Sequence, residues 1–320
     1  MEATGTSSGS TARWPELGCP TRPEVAMTWW QAILLGALQG ITEFLPVSSS
    51  GHLVLVQQWW GVVGEESAAA LFFDGMLHLG TVFSVLFYLW RSRPTCSESG
   101  SGVAASFNAS PPGRGLALPR QISWARWFWL LFWASAPAAV AVLAFPRWIR
   151  ESFVSVPMVA TDFILLGALL WLTDRLPPGR IPADQTRWYH ALTMGIGQMF
   201  SALFRGLSRS GMTISTALFL GLDRTWAVRL SFAMSVVANL GLAALGFRQA
   251  FHGHSVPSWL TPSCLTCTIL GALTSMVVGY ASIFPLLAIV RRCRLRWFSI
   301  YLWLVGLVSG FAYLFGFLAP

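Results

Sequence analysis

The chain has 320 residues, of which 54% are hydrophobic and only 11% charged, with a mean hydropathy of +0.58. A soluble domain carries roughly 25% charged residues, so this composition excludes an ordinary water-soluble fold and implies an integral membrane protein. The net charge of +8 would suggest nucleic acid in a soluble protein, but here all 21 basic residues are Arg and they sit in short loops between apolar runs, where they read as topology signals and headgroup contacts; no nucleic-acid partner is expected.

Residues 1–27 are polar and rich in Pro, Gly, Ser and Thr, with no apolar core of a signal peptide. They are expected to be a disordered tail or an extension ahead of a start at Met27. The five cysteines, Cys19, Cys96, Cys264, Cys267 and Cys293, are odd in number and scattered, and read as packing residues.

The first apolar block, 28–60, is too long for one crossing and is interrupted by "LQGITEFLPVSSSGH", Leu38 to His52. Glu43 stands in its apolar half, where an ionised carboxylate costs about 2.5–3.5 kcal/mol on insertion scales unless it is paired or wet. Gln39 lies four residues earlier on the same helical face and can share a proton, a metal or a water with it. Pro46 ends the half-helix, and Ser48, Ser49 and Ser50 begin the next, offering hydroxyls and free N–H groups to an anion. His52 adds a group able to act as acid, base or nucleophile near neutral pH.

Single apolar blocks follow at 71–90, 127–145 and 154–172, each long enough to cross as a helix. The first begins with "FFDGMLHLG", whose Asp74 and His78 either line the same cavity or form a hydrogen-bonding pair between helices. After a polar linker at 174–187 comes a second long, interrupted block, 188–222, with "FRGLSRSGMTIS" inside it. A guanidinium embedded there, as at Arg205 and Arg209, wants a bidentate oxyanion, and phosphate fits best; the bland alternative for Arg209 is a headgroup contact. Ser208 and Ser210 flank it. Single blocks at 227–247, 265–290 and 298–318 complete the chain, with His252 and His254 in a loop between two of them and His190 at a helix start.

The two interrupted blocks share a plan: Gly36-x-x-Gln39 and Gly195-x-x-Gln198, an apolar half, then Ser-x-Ser-Gly. Each is followed by three single spans. The chain therefore reads as an internal repeat, 28–173 and 188–320, and the expected fold is an all-α polytopic membrane protein of inverted topology with six full transmembrane helices and two re-entrant helix-loop-helix pairs. In that topology most loop arginines, among them Arg91, Arg126, Arg175, Arg187, Arg224 and Arg291, fall on one side, which the positive-inside rule makes cytoplasmic. The mouth of the first block then faces outward.

An acid, hydroxyls and an imidazole in one half, with guanidinium and hydroxyls in the other, point to chemistry on a phosphate. At these blocks the sequence resembles the undecaprenyl-diphosphatase, or bacitracin-resistance, family. The resemblance rests on the Glu/Gln-x-x-x-Glu motif at Gln39 and Glu43 with its Pro-x-Ser-Ser-x-Gly-His continuation, and on a Pro-Gly-x-Ser-Arg-Ser-Gly motif at 205–211 in which Arg205 replaces the proline. It implies hydrolysis of undecaprenyl diphosphate on the outer face of the bacterial cell membrane, recycling the lipid carrier for cell-wall synthesis, with bacitracin competing for the lipid. Carried over by position, Gln39 and Glu43 are the acidic-motif pair, Ser49 and His52 the candidates for nucleophile or proton carrier, and Ser208 and Arg209 the diphosphate clamp; Ser48, Ser50, Ser210 and Arg205 are further candidate diphosphate ligands. The resemblance also implies a divalent cation, Mg or Ca, near Gln39 and Glu43, and a homodimer is left open. The rival reading is a flippase for the same lipid phosphate, because carriers are also built from inverted repeats with broken helices.

Overall fold

The computed structural model describes residues 27–60, 68–91, 123–145, 147–149, 155–251 and 260–316. The tail at 1–26, most of the loop expected at 91–126, the loop with His252 and His254, Cys19 and Cys96 lie outside the described residues.

The described chain is helical: α1 (Trp29–Phe44), α2 (Ser49–Trp60), α3 (Ala68–Arg91), α4 (Trp124–Ala144), α5 (Val156–Asp174), α6 (Trp188–Leu203), α7 (Arg209–Phe219), α8 (Arg224–Ala250), α9 (Pro262–Arg291) and α10 (Arg296–Leu314). Six of these, α3, α4, α5, α8, α9 and α10, are long and apolar enough to cross a membrane. They coincide with the six single blocks of the sequence. Large apolar side chains face outward along them, and Trp90, Trp124 and Trp297 are exposed at helix ends, as in interfacial aromatic belts. The protein is an all-α polytopic membrane protein.

Each long block breaks into two short helices. α1 stops at Phe44 because Pro46 disfavours helical backbone at the residue before it, and Leu45 is extended. α6 ends without a proline, at an extended Phe204. In both blocks a serine starts the next helix: Ser48 Oγ accepts the Gly51 N–H, and Ser208 Oγ accepts the Gly211 N–H, both at 3.2 Å. Ser48 holds φ at +68°, a left-handed conformation that costs a non-glycine residue free energy and clusters at functional sites.

Helix pairing is reciprocal. α1 packs on α9 and α6 on α4, α3 packs on both α9 and α8, and α5 lies along α10. The two glycines of the shared Gly-x-x-Gln pattern make the first two crossings close: a Cβ on Gly36 would stand 2.3 Å from the Gly271 carbonyl oxygen, and one on Gly195 would stand 2.5 Å from that of Ala134. Serines supply hydrogen bonds at these interfaces, Ser282 Oγ to Gly40 O at 2.8 Å and Ser275 Oγ to Leu77 O at 2.9 Å. Gly36→Val is therefore expected to push α1 off α9 and to destabilise the protein by about 1–3 kcal/mol, the usual cost of overpacking, read as a lower unfolding temperature in detergent; an unchanged melt would contradict this packing.

The linker between the two long halves of the chain is pinned to the turn before α8. Ile181 N donates to Gly221 O at 3.0 Å and Asp223 N to Ile181 O at 2.9 Å, and Asp223 caps α8.

Candidate active site

The two helix breaks meet each other. Ser48 Oγ donates to Arg205 O at 2.7 Å, and Ser210 Oγ donates to Leu45 O at 3.0 Å, so each loop holds the backbone of the other. Ser210 gives its proton to Leu45, which leaves Ser208 as the donor in the 2.9 Å contact between their hydroxyls.

Glu43 is 6% exposed, and its carboxylate takes four hydrogen bonds from four helices. On Oε2 it accepts from Gln39 Nε2 at 3.0 Å and from Ser49 Oγ at 2.8 Å; on Oε1 it accepts from Arg209 Nη2 at 2.7 Å and from Asn239 Nδ2 at 2.8 Å. A buried carboxylate is tolerated in this form because the charge is paired and every lone-pair direction is used. His78 stands beside it, Nδ1 3.5 Å from Oε2, and Gln39 Nε2 also lies 3.0 Å from that nitrogen. An amide nitrogen can only donate, so the His78 Nδ1 accepts. Arg209 reaches the carboxylate from the first turn of α7 and also donates through Nη1 to Ser235 O at 3.3 Å, which orients its guanidinium fork.

Gln39, Ser49 and Arg209 thus converge on Glu43, and Ser48, Ser208 and Ser210 hold the loops around it. The first-turn N–H groups of α2, at Ser49 and Ser50, and the start of α7 are helix ends that favour an anion. The Ser50 side chain is half-buried. His52 is in the same turn but faces away from Glu43. Its Nδ1 donates to Ser48 O at 2.7 Å, its Nε2 contacts the Tyr301 hydroxyl at 2.8 Å, and its ring stacks on Tyr301, so both nitrogens are engaged away from Glu43. Of the pair on α3, His78 joins the Glu43 network, whereas Asp74 accepts from Gln57 Nε2 at 3.1 Å and interacts electrostatically with Arg205.

Asn239, Thr81 and Tyr301 belong to none of the sequence motifs. Asn239 also donates to Thr81 Oγ1 at 3.3 Å and lies in the apolar run "SVVANLGL", where a lone amide inside a span was the available signal. Tyr301 looks like an interfacial aromatic in sequence and only its contact to His52 sets it apart.

Among the described residues no group of three or more His, Cys, Asp and Glu is placed to hold a metal. Oxygen donors are nevertheless present: Gln39 Oε1 and Asn239 Oδ1 are both buried, neither has a hydrogen-bond partner, and both amides flank Glu43. That donor set fits a hard divalent cation.

An all-α polytopic membrane protein with an acid, a hydroxyl and a guanidinium hydrogen-bonded together at the meeting point of two broken helices is the class defined by this geometry. The chain belongs to the bacitracin resistance protein BacA family, whose model matches residues 32–308. It is 36% identical over 285 residues to the undecaprenyl-diphosphatase of Desulfosudis oleivorans, covering 87% of this chain and 96% of the relative, and 34% identical over 280 residues to that of Carboxydothermus hydrogenoformans, covering 88% and 95%. Similarity to the undecaprenyl-diphosphatase of Alkalilimnicola ehrlichii is 36% over 288 residues, 88% of this chain and 95% of the relative.

Proposed function

We propose that this protein hydrolyses undecaprenyl diphosphate to undecaprenyl phosphate and inorganic phosphate at the Glu43 centre, recycling the lipid carrier for cell-wall synthesis and conferring resistance to bacitracin. The carrying observation is that Glu43 holds Ser49 on one carboxylate oxygen and Arg209 on the other, an arrangement of base, nucleophile and anion clamp within a family of this activity.

The diphosphate binds between the first turns of α2 and α7, with the prenyl chain in lipid. Arg209 turns from Glu43 to the terminal phosphate, for which its fork is better matched, and frees the carboxylate to take a proton. Ser49 Oγ attacks the terminal phosphorus and gives its proton to Glu43; the bridging P–O bond breaks and undecaprenyl phosphate leaves. Glu43 passes this proton to the departing undecaprenyl phosphate; water then attacks the phosphoserine and gives a proton to the regenerated carboxylate, the Ser49 Oγ–P bond breaks, and Ser49 Oγ takes the proton from Glu43 as phosphate leaves. Arg209, the Ser49 and Ser50 N–H groups, Ser208 and Arg205 neutralise charge on the transferring phosphoryl group, usually the largest catalytic contribution. His52 positions the α2 start through Ser48 O. A divalent cation would be held by Gln39 Oε1 and Asn239 Oδ1, joined by Glu43 once Arg209 has turned to the phosphate and freed a lone pair on Oε1, and it would add positive charge against the phosphoanhydride.

The two broken helix pairs are re-entrant and the second half inverts the first, which opens the site to the outside of the cell. The test is bacitracin challenge of cells depleted of their own undecaprenyl-diphosphatase activity. Expression of this chain is expected to restore growth and to lower the accumulated undecaprenyl diphosphate. Failure to do either, from protein present in the membrane, removes the phosphatase reading and favours a carrier of the lipid phosphate.

A further inference from the structure

Asp162 is a carboxylate on α5, only 3% exposed, that the mechanism above does not use. An acid within an apolar span is costly to keep. It sits against the second loop: its Oδ2 accepts the Gly206 N–H at 3.0 Å. The approach is so close that a Cβ on Gly206 would lie 2.4 Å from the Asp162 Cβ and 2.7 Å from the Val159 carbonyl oxygen. Gly206 is followed two residues later by Ser208, which caps α7, and then by Arg209.

The loop from Phe204 to Ser208 is held at Arg205 and Gly206, and the first turn of α7 just beyond it is held at Ser210. Ser48 takes the Arg205 carbonyl and Ser210 reaches across to Leu45, both within the two helix breaks, whereas Asp162 is the anchor supplied by a full-length helix outside them. Ser48 and Ser210 tie two short segments to each other and fix neither in the frame of the membrane-spanning helices. The α5 anchor does that at the loop backbone, beside side-chain interactions of Arg209 with Ser235 on α8 and of Arg205 with Asp74 on α3. The packing of α5 against α7 continues the contact, with Leu166 Cδ1 against the Gly211 position one turn further along.

We infer that Asp162 is a positioning residue that fixes the height of the Arg205–Arg209 loop on α5, and so sets where the Arg209 guanidinium meets the diphosphate. The inference rests on the phosphatase reading for its substrate. It is the length of the side chain and its acceptor oxygen that matter, since the bond is to a backbone N–H and no basic side chain is hydrogen-bonded to the carboxylate among the described contacts.

Two conservative variants separate this role from a role for the charge. Asp162→Asn keeps the length and an acceptor oxygen but loses the charge; Asp162→Glu keeps the charge but adds a methylene that drives the loop away from α5. The expected result is kcat/KM for undecaprenyl diphosphate within about threefold of wild type in Asp162→Asn, and a fall of roughly 10- to 100-fold in Asp162→Glu, the scale of a misplaced catalytic group. The Kd for inorganic diphosphate, measured by calorimetry on the same detergent-solubilised proteins, is expected to follow the same order, unchanged in Asn and about tenfold weaker in Glu. The reverse order, Glu active and tight and Asn impaired, would overturn the inference, as would two folded variants both at wild-type values. Wild-type protein that binds diphosphate without releasing phosphate would instead defeat the phosphatase reading, and the binding order of the two variants would still decide the role of Asp162.

Discussion

Replacing Glu43 by Gln is expected to lower phosphate release from undecaprenyl diphosphate at least about a hundredfold, as for loss of a positioned acid-base group, while leaving the protein folded. Gln has the shape of Glu, so packing is kept. It has one acceptor oxygen where the carboxylate had two, and the four donors of the wild-type site sort it. Arg209 can only donate, so the amide oxygen turns to it and to Asn239 Nδ2, and the amide nitrogen faces Ser49 and Gln39, whose amide must flip to present its oxygen. Ser49 can rotate its hydroxyl to accept, and then has no base to take its proton. A steady-state assay on purified variant beside wild type, with circular dichroism to confirm the fold, checks this; residual activity within tenfold of wild type would show that Glu43 is a structural carboxylate.

Arg209→Lys is expected to cost about 10²–10³ in kcat, comparable to removing one preorganised donor from an oxyanion site. The ammonium keeps the charge beside Glu43 but is a compact point donor and cannot span Glu43 Oε1 and Ser235 O as the guanidinium does. It also cannot present two parallel N–H groups to a phosphate. Arg209→Ala is expected to be worse for stability than for chemistry, because the carboxylate would be left buried with no cation. If Lys restores wild-type kcat, a point charge is sufficient and the bidentate clamp is wrong.

Much of this was legible in the sequence for physical reasons. The six full-length helices follow from apolar length alone, and the two breaks from a proline and a Ser-x-Ser-Gly in blocks too long for one crossing. Glu43 and Arg209 stand out because an ion in an apolar run needs a partner, and the structure pairs them with each other, while Gln39 meets Glu43 at the i, i+4 spacing visible in the sequence. Partners 166 and 196 residues away, Arg209 and Asn239, could not be paired by local spacing. The repeat offered a hint, since its two halves align one loop with the other. His52 and Asp74 carried the same chemical signal as Glu43, but their geometry takes them to Tyr301 and Gln57, which sequence distance does not reveal. Asp162 is the converse case, a mid-span acid in a run whose sequence marks it only as a crossing helix. Arg205 departs from the family motif, and its place beside Asp74 gives the extra cation an embedded acid to face.

The most direct measurement is phosphate release from undecaprenyl diphosphate by purified, detergent-solubilised wild-type protein supplied with Mg or Ca, with the lipid product followed alongside. The account predicts inorganic phosphate and undecaprenyl phosphate in equal amounts. Folded protein that binds the lipid and releases neither would contradict it.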